Sequence, residues 1–450
     1  MKFLREGENF RGILNDLKRR PIDAAKELGV PIDTINKVIR GEIQIPMGFI
    51  ERAEKAGWPI SARDFHLLRD DAPEGVKVMS SKESEESSRI MERAGKPYYE
   101  YRDTATTSNA FFRPEWIKEL CIVDNNDPEN PNVQWNNGHF MHQFTYFIGH
   151  VNFYYRDEHG KKQVAVMNTG DSMYITPFVP HTFTTRKNQE GKLGLILALT
   201  YGNKIIGDTQ QEFSAIGKEL AKNFVLDVST RKSYFLSLFN FYMGSGSISP
   251  EELATRTGFS DEIIKSFLEG VTIPRDSEIE VLARALRVNK RDLLPPDTIE
   301  ERVIIQNYQD AKRWHVPTNG RSYLLTELTH TSNLPNSRAL ELDVLKANSE
   351  TLSVGLHQYG YNLSDKPVVL EWNYNGTKGS KKIDPGDSFY IKPFIRHRYL
   401  GEGGKLLILR IGGRVVGEPQ RELSTLGQEG ALRALGENEM WFNQRGRNKI

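Results

Sequence analysis

The sequence predicts a mixed α and β protein in which a helical, helix-turn-helix-like segment followed by a jelly-roll β-barrel occurs twice in tandem. Two internal repeats support this prediction. GDSMYITPFVPH (170–181) returns as GDSFYIKPFIRH (386–397), and AAKELGVPIDTINKVIRGE (24–42) returns in weaker form as LATRTGFSDEIIKSFLEG (253–270). Such recurrence indicates a duplicated architectural unit, and 450 residues exceed the length of one ordinary domain.

The repeated helical segment has apolar residues at spacings of three and four, the pattern of short amphipathic helices. In the first copy these residues are Ala25, Leu28, Val30, Ile35, Val38 and Ile39. Gly29 and its counterpart Gly258 fall between two apolar stretches, where a turn is expected. Each copy therefore predicts two short helices joined by a turn.

The strand-rich segments consist of short apolar or alternating runs, of which the clearest are 144–155, 162–168, 193–201, 367–374 and 406–411. Gly-Asp turn signals precede two further strands, at 170–171 and 386–387. Many short strands joined by such turns are typical of an antiparallel barrel or jelly roll. We therefore expect a helical domain over 1–70, a first barrel over 71–205, a second helical domain over 206–300 and a second barrel over 301–450. The polar, serine-rich stretch 70–92 is expected to be a linker into the first barrel.

Composition excludes several functional classes. Lys and Arg number 60 and Asp and Glu 59, for a formal net charge of +1, which argues against a protein that coats nucleic acid or an anionic membrane. No apolar run approaches the length of a membrane span. The charged N-terminal sequence MKFLREGENFRG has no apolar signal region, and the single cysteine, Cys121, cannot form an internal disulfide. We expect a cytoplasmic protein.

The helical segment raises the possibility of DNA recognition, in which the start of the second helix meets phosphates or bases. That position carries PIDT (31–34) in the first copy and SDE (260–262) in the second. Acidic residues there would repel the phosphate backbone. We therefore expect a structural role and no nucleic-acid partner. A transcription regulator with a helix-turn-helix and a ligand-sensing barrel is the alternative from another functional class.

A candidate metal site lies in WNNGHFMHQF (135–144) and at the end of the GDS segment. If 139–143 is a strand, His139 and Gln143 share one face and His142 lies on the other. In a jelly roll the strand carrying His181 is a neighbour, so His139, Gln143 and His181 can converge on one metal. Two histidines and one further ligand on one side leave open positions, as in mononuclear non-haem Fe(II) oxygenases.

The carboxylate common in such sites is missing, because Ile175 stands six residues before His181. A neutral Gln143 leaves more positive charge on the metal, which suits a dianionic substrate. In the second barrel His397 and Gln358 match His181 and Gln143, but the place of His139 falls at Gly355 or Leu356. We expect the first barrel to be catalytic and the second to be degenerate.

The tandem halves, NNGH (136–139) and PFVPH (177–181) closing a GDS strand resemble the hydroxyethylphosphonate dioxygenase-like phosphonate oxygenases, whose barrels are cupins. The resemblance covers essentially the whole chain. It implies Fe(II), O2 as co-substrate, no external reductant, and 2-hydroxyethylphosphonate as substrate. In this family a His–Gln–His triad with an apolar residue in place of Glu is typical of the branch that forms methylphosphonate and carbon dioxide. The alternatives are the dioxygenase outcome, hydroxymethylphosphonate and formate, and an epoxidase-like reaction on 2-hydroxypropylphosphonate.

The resemblance also implies the residues that bind the phosphonate. Carried over one position at a time, they are Lys18, Arg93, Tyr101 and Asn136, whereas the neighbouring Tyr98 is expected to pack. Two fixed cations with hydroxyl and amide donors are suited to a phosphonate. We also expect a homo-oligomer, a dimer or tetramer, in which Lys18 serves either its own barrel or that of a neighbouring subunit.

Overall fold

The computed structural model describes residues 3–68, 70–110, 112–201, 207–294, 301–332 and 334–436. Its internal contacts divide the chain into two compact units, one formed by Met1–Tyr201 with Ile304–Ile450 and the other by Gly202–Val303. Helices and many short strands form a mixed α and β architecture. Within the described ranges no helix is both long and apolar enough to cross a membrane.

The larger unit begins with four helices, α1 (Leu4–Asp16), α2 (Pro21–Leu28), α3 (Ile32–Ile39) and α4 (Gly48–Lys55), and a 3-10 turn, Ala62–Phe65. Pro21 starts α2, where its fixed φ suits the first helical position. Gly29 ends α2 with φ +61°, a backbone conformation that favours glycine. The apolar faces of the helices pack around Phe10, Leu28 and Phe49.

The first barrel contains most of the next elements, which are β1 (Val76–Met79), α5 (Ser81–Glu86), β2 (Arg89–Arg93), β3 (Lys96–Asp103), β4 (Arg113–Glu119), β5 (Ile122–Val123), β6 (His142–Ile148), β7 (Val151–Arg156), β8 (Lys162–Met167), β9 (Ser172–Ile175), β10 (His181–Arg186) and β11 (Leu195–Tyr201). The stretch 70–92 is therefore not an unstructured linker, since it holds β1, α5 and most of β2. The prediction failed there because the polar residues around the short VKVM run outweighed its apolar alternation.

The smaller unit is helical and comprises α6 (Asp208–Ile216), α7 (Lys218–Ala221), α8 (Arg231–Gly246), α9 (Pro250–Thr257), α10 (Asp261–Leu268) and α11 (Asp276–Leu286), with 3-10 turns at Lys222–Phe224 and Lys290–Leu293. Gly258 ends α9 with φ +72°, as Gly29 ends α2. The apolar core of this smaller unit is formed around Phe239, Leu253 and Leu282. The two repeated sequences thus give the same succession of helix, left-handed glycine and helix.

The next strand, β12 (Val303–Gln306), joins a sheet of the first barrel. The second barrel contains β13 (Arg313–Val316), β14 (Tyr323–Glu327), β15 (Ser337–Val344), β16 (His357–Asn362), β17 (Val368–Tyr374), β18 (Thr377–Ile383), β19 (Ser388–Ile391), β20 (Arg396–Leu400) and β21 (Lys405–Ile411). A 3-10 turn lies at Tyr308–Asp310, and α12 (Glu418–Thr425) and α13 (Gly427–Gly436) follow the last strand.

Each barrel pairs one large and one small sheet. The first has the strand orders β12-β9-β6-β11-β4-β3-β2 and β5-β10-β7-β8, and the second has β1-β19-β16-β21-β15-β14-β13 and β18-β17-β20. The two large sheets exchange edge strands, because β1 pairs antiparallel with β19 and β12 lies beside β9. Each of these edge strands therefore belongs to the sheet of the other half of the chain, so the expected boundaries at residues 71 and 301 do not separate the sheets completely.

The barrels share an apolar core, which joins Phe144, Tyr146 and Leu199 of the first to Tyr359 and Leu409 of the second. This core covers one face of β6. The opposite face of the same strand borders the interior of the first barrel, where the candidate site lies.

Candidate active site

A cavity of about 110 Å³ opens inside the first barrel. Its lining comes from β2, β3, β4, β6, β10 and β11 and from the segment that precedes β6. The lining residues are Arg93, Tyr99, Tyr101, Glu115, Ile117, Asn136, His139, Gln143, His181, Phe183, Ile196, Ala198 and Thr200. The structure thus brings together six of the seven predicted site residues. The exception is Lys18.

His139 reaches the cavity from a loop. The strand β6 begins at His142, so strand alternation does not explain the position of His139. Instead, the backbone oxygen of His139 accepts a hydrogen bond from Phe178 N at 2.8 Å, which ties the loop to the segment that leads into β10. Its ring Nδ1 donates to Met141 O at 2.9 Å. This leaves Nε2 unprotonated, with its lone pair 2.9 Å from Oε1 of Gln143.

Gln143 and His181 are oriented in the same way, by a hydrogen bond from the atom that does not face the cavity. Nε2 of Gln143 donates to Thr145 Oγ1 at 2.9 Å, so its carbonyl oxygen faces His139. Nδ1 of His181 donates to Val179 O at 2.8 Å, which leaves Nε2 with a lone pair. The two histidine rings are nearly perpendicular, with centroids 5.1 Å apart. Such partners fix tautomer and ring direction at metal sites.

These three side chains fit a divalent metal. Neighbouring ligands of an octahedral ion with bonds of about 2.1 Å are separated by about 3.0 Å, close to the 2.9 Å between His139 Nε2 and Gln143 Oε1. Burial lowers the pKa of His181 to about 3, so its ring is neutral, as a ligand must be. Within the described ranges no group of three or more His, Cys, Asp or Glu side chains could hold a metal. The candidate site therefore depends on a glutamine.

His142 points away from the cavity, into the core between the barrels. Its Nδ1 lies 2.6 Å from the hydroxyl of Tyr174, and its ring stacks on Tyr174 and Tyr201. Burial lowers its pKa to about 4. His142 thus packs as a neutral core residue. His357 repeats this arrangement in the second barrel, with Nδ1 2.7 Å from the hydroxyl of Tyr390.

Three of the predicted phosphonate-binding residues line the cavity beside the triad. Asn136 accepts hydrogen bonds from the backbone of Gly138 and His181 through Oδ1, while its Nδ2 lies 3.3 Å from Nε2 of His181. The Arg93 guanidinium lies over the rings of Tyr98 and Tyr99. Burial, and next the charge of Glu115, raises the pKa of Tyr101, so its hydroxyl remains a donor at neutral pH.

Lys18 lies between α1 and α2, with φ +56° and an exposed side chain. Its Nζ donates to Asp16 O at 2.8 Å. Among the residues that the structure describes, the lining of the cavity does not include Lys18. A single chain therefore leaves Arg93 as the cationic side chain of this lining.

The sequence did not point to Glu115 and Thr200, which also line the cavity. Both side chains point from their strands, β4 and β11, into the barrel. Strand alternation predicts this orientation once these strands are known to form the cavity wall, which the sequence did not indicate. Glu115 is half-buried, and burial raises the pKa of its carboxyl group. Thr200 pairs directly with Gln143 across β11 and β6.

The second barrel preserves part of the triad. Nδ1 of His397 donates to Ile395 O at 2.8 Å, as His181 does to Val179, and Nε2 of Gln358 lies 3.4 Å from Nε2 of His397. The position of His139 has no histidine, and a side chain at Gly355 would collide with the ring of Phe394. The arrangement retains two of the three candidate ligands.

Comparison with known proteins places this geometry in a family. No family model matches the chain. It is 52% identical over 447 residues, 99% of its own length and 97% of the relative, to methylphosphonate synthase of Nitrosopumilus maritimus. It is 20% identical over 419 residues, 87% of this chain and 88% of the relative, to 2-hydroxyethylphosphonate dioxygenase of Streptomyces viridochromogenes.

The solved structures agree. The hydroxyethylphosphonate dioxygenase of Streptomyces albus, with 2-hydroxyethylphosphonate and Fe(II) bound, superposes with a TM-score of 0.87 at 37% identity, covering 98% of this chain and 99% of that one. PhpD with cadmium atoms, at 19% identity and a TM-score of 0.73 over 96% and 99% of the two chains, shares the fold. The chain belongs to the methylphosphonate synthase family, within the hydroxyethylphosphonate dioxygenase-like phosphonate oxygenases.

Proposed function

We propose that the chain cleaves the C–C bond of 2-hydroxyethylphosphonate, using Fe(II) and O2, to give methylphosphonate and carbon dioxide. One observation carries this proposal: 52% identity to a methylphosphonate synthase across 99% of the chain. The reaction consumes one O2 and releases one water, so its atoms balance without an external reductant. Conversion to hydroxymethylphosphonate and formate is the second candidate, because the Streptomyces albus dioxygenase has the same fold at 37% identity. The higher identity to the synthase favours methylphosphonate.

His139, Gln143 and His181 would hold the iron through Nε2, Oε1 and Nε2. Bound iron supplies the site at which O2 is activated and the substrate oxidised. The hydrogen bonds from His139 to Met141 O, from Gln143 to Thr145 Oγ1 and from His181 to Val179 O support this assignment, because each leaves the ligating atom directed inward. Three neutral ligands leave the full charge of the metal for a dianionic phosphonate.

Arg93, Tyr101 and Asn136 would bind the phosphonate group. The Arg93 guanidinium can meet two phosphonate oxygens with two parallel hydrogen bonds. Tyr101 and the Asn136 amide add uncharged donors. Asn136 also holds the backbone of His181, so substrate and metal ligand are positioned by one side chain. Glu115 also lines the cavity, and burial raises the pKa of its carboxyl group.

Lys18 would supply the second cation from a neighbouring subunit. Arg93 and a divalent metal face a dianionic phosphonate in this cavity, and Lys18 of the same chain is absent from the described lining. A lysine that enters from a second copy would add a second cationic side chain for the phosphonate oxygens and make the enzyme a functional homo-oligomer, a dimer or tetramer. This arrangement also gives the N-terminal helices a role in the site without contact to nucleic acid.

Several broader assignments accompany this function. We propose that both sandwiches are cupin barrels, catalytic in the first copy and degenerate in the second, and that each follows a helix-turn-helix-like segment of structural purpose. The domain limits 1–70, 71–205, 206–300 and 301–450 remain part of the proposal. The single cysteine and the family's chemistry support a cytoplasmic location.

Isotope labelling tests the proposed reaction. Substrate carrying ¹³C at the hydroxyl-bearing carbon is incubated with the Fe(II)-loaded protein and O2, and the fate of the label is followed by carbon NMR. We expect labelled bicarbonate. Labelled formate would replace the proposal with the dioxygenase outcome, and an unchanged substrate would overturn both.

A further inference from the structure

We propose that Thr182 is a positioning residue, whose hydroxyl group fixes Arg93 relative to the metal ligand His181. The inference rests on the proposed function, in which Arg93 binds the phosphonate. Thr182 follows His181 on β10, and it is fully buried. Alternation along the strand directs it away from the face that His181 and Phe183 present to the cavity.

One oxygen atom of Thr182 gathers three side chains from β2 and β3. Its Oγ1 lies 2.9 Å from Nη1 of Arg93, 2.8 Å from the hydroxyl of Tyr99 and 3.2 Å from the hydroxyl of Tyr98. The strand that carries a metal ligand is thereby joined to the residue that would bind the substrate's anionic group. None of these contacts was evident from the sequence, in which Thr182 lies 89 positions from Arg93.

The donors and acceptors of this cluster can be assigned. A threonine hydroxyl has one proton to donate and two lone pairs. Arg93 can only donate, and Tyr98, which accepts from Gln134 N at 3.1 Å, directs its own proton to Thr182. Tyr99 accepts from Phe183 N at 3.0 Å and can take the Thr182 proton as well. Every hydrogen-bonding position of the Thr182 oxygen is then used, which is the arrangement that rigidifies a buried polar network.

The result for Arg93 is a fixed orientation. Both protons of Nη1 are used, one by Thr182 and one by Gln134 O at 2.7 Å. Cζ of Arg93 lies 5.1 Å from the ring centroid of Tyr98 and 4.8 Å from that of Tyr99. Nε and Nη2 make no hydrogen bond to any residue the structure describes, and Arg93 lines the cavity. Those two nitrogens are the pair that could meet a phosphonate with parallel hydrogen bonds.

The hydrogen bond from Arg93 to Gln134 O also fixes Arg93 relative to Asn136, which lies two residues after Gln134. Arg93 is thus connected at one nitrogen to the segment that carries Asn136 and to the strand that carries His181. Thr182 and Gln134 thereby hold the guanidinium of Arg93 ready for the phosphonate, so their loss is expected to weaken binding of the substrate.

Substitution by valine tests the proposal, because valine keeps the size of threonine and removes its hydroxyl. In the Fe(II)-loaded, anaerobic protein we expect Thr182→Val to weaken binding of 2-hydroxyethylphosphonate about tenfold or more, the cost of disturbing a hydrogen bond to a charged group. The KM in air should rise in parallel while kcat stays within about threefold. Thr182→Ser should restore wild-type behaviour. Thr182→Cys, a poor acceptor of similar size, serves the same test should the valine variant not fold.

Two controls make the outcome specific. Thr184→Val removes an equally buried hydroxyl from the same face of β10 that contacts none of Arg93, Tyr98 and Tyr99 among the described residues, and it should leave substrate affinity unchanged. Fe(II) affinity should be unchanged in Thr182→Val. Wild-type substrate affinity in Thr182→Val, equal losses in the serine and valine variants, or a loss of iron would overturn the proposal. Anaerobic binding is read without turnover, so a failure of the proposed reaction is recognised separately.

Discussion

Nε of Arg410 donates a hydrogen bond to Oε1 of Gln358 at 3.0 Å in the second barrel. Gln358 pairs with Arg410 across β16 and β21, as Gln143 pairs with Thr200 across β6 and β11. The oxygen that would bind the metal in the first barrel therefore meets a guanidinium group in the second. A fixed internal cation satisfies this oxygen and supports the prediction that the second barrel is degenerate.

Substitution of the two repeated histidines should show which barrel binds iron. We expect His181→Ala to reduce Fe(II) content from about one per chain to a small fraction, because it removes one of the three proposed ligands. His397→Ala should retain the iron, since Arg410 and Gln358 already satisfy each other. Metal analysis after equilibrium dialysis provides the comparison. Loss of iron from His397→Ala would show that the second barrel takes part in metal binding.

Gln143 and His142 provide a second matched pair, adjacent in sequence and directed to opposite faces of β6. Gln143→Ala should lose at least tenfold in Fe(II) affinity, whereas His142→Ala should keep both iron and turnover. The latter should lower the free energy of unfolding by about 2–4 kcal/mol, as expected for a cavity in the core. Fe(II) titration and chemical denaturation measure the two effects. An iron-free His142→Ala would contradict the assignment of the faces.

Lys18→Ala should raise the KM for 2-hydroxyethylphosphonate about tenfold or more if Lys18 supplies the second cation. Complementation tests the contribution from a neighbouring subunit. Lys18→Ala subunits, weakly active at low substrate concentration, and inactive His181→Ala subunits should be more active when mixed and reassembled than either is alone, because a His181→Ala subunit can lend its Lys18 to an intact metal site. No recovery in demonstrably mixed oligomers would place Lys18 in its own subunit or outside the site.

Buried histidines predict a loss of stability in acid. His397 is 1% exposed, and burial lowers its pKa to about 4. The unfolded chain takes up a proton near pH 6.5 while the folded chain stays neutral, so stability falls as the pH drops from about 6.5 to about 4 and levels off below. His397 alone would cost about 2 kcal/mol between pH 6.5 and 5. The stability difference between pH 7 and 5 should be smaller in His397→Asn, and an equal difference would contradict the prediction.

Local sequence patterns accounted for the features that depend on local chemistry. The repeated GDS segments correspond to β9 with the start of β10 and to β19 with the start of β20, and the glycine turns stand where spacing indicated. Gln143 and His142 lie on opposite sides of β6, as alternation requires. His357 has the same environment in the second barrel as His142 has in the first, with Nδ1 beside a tyrosine hydroxyl.

Features that depend on distant contacts were beyond such patterns. The pairing of β1 with β19 joins segments more than 300 residues apart, and edge strands offer the same backbone donors and acceptors to either sheet. His139 lies in a loop that is held by a hydrogen bond to Phe178. Strand alternation therefore selected a residue that lines the cavity, although that residue is not in a strand. The approach of Thr182 to Arg93 and the exposed position of Lys18 likewise follow from tertiary structure.

The phosphorus NMR spectrum of the products tests the central claim most directly. The protein, loaded with Fe(II) through His139, Gln143 and His181, is supplied with 2-hydroxyethylphosphonate in air, and Gln143→Ala serves as the control. We predict methylphosphonate as the main product of the wild-type protein and little turnover by the variant. Hydroxymethylphosphonate as the main product would contradict the proposed function, and full activity in Gln143→Ala would contradict the proposed metal site.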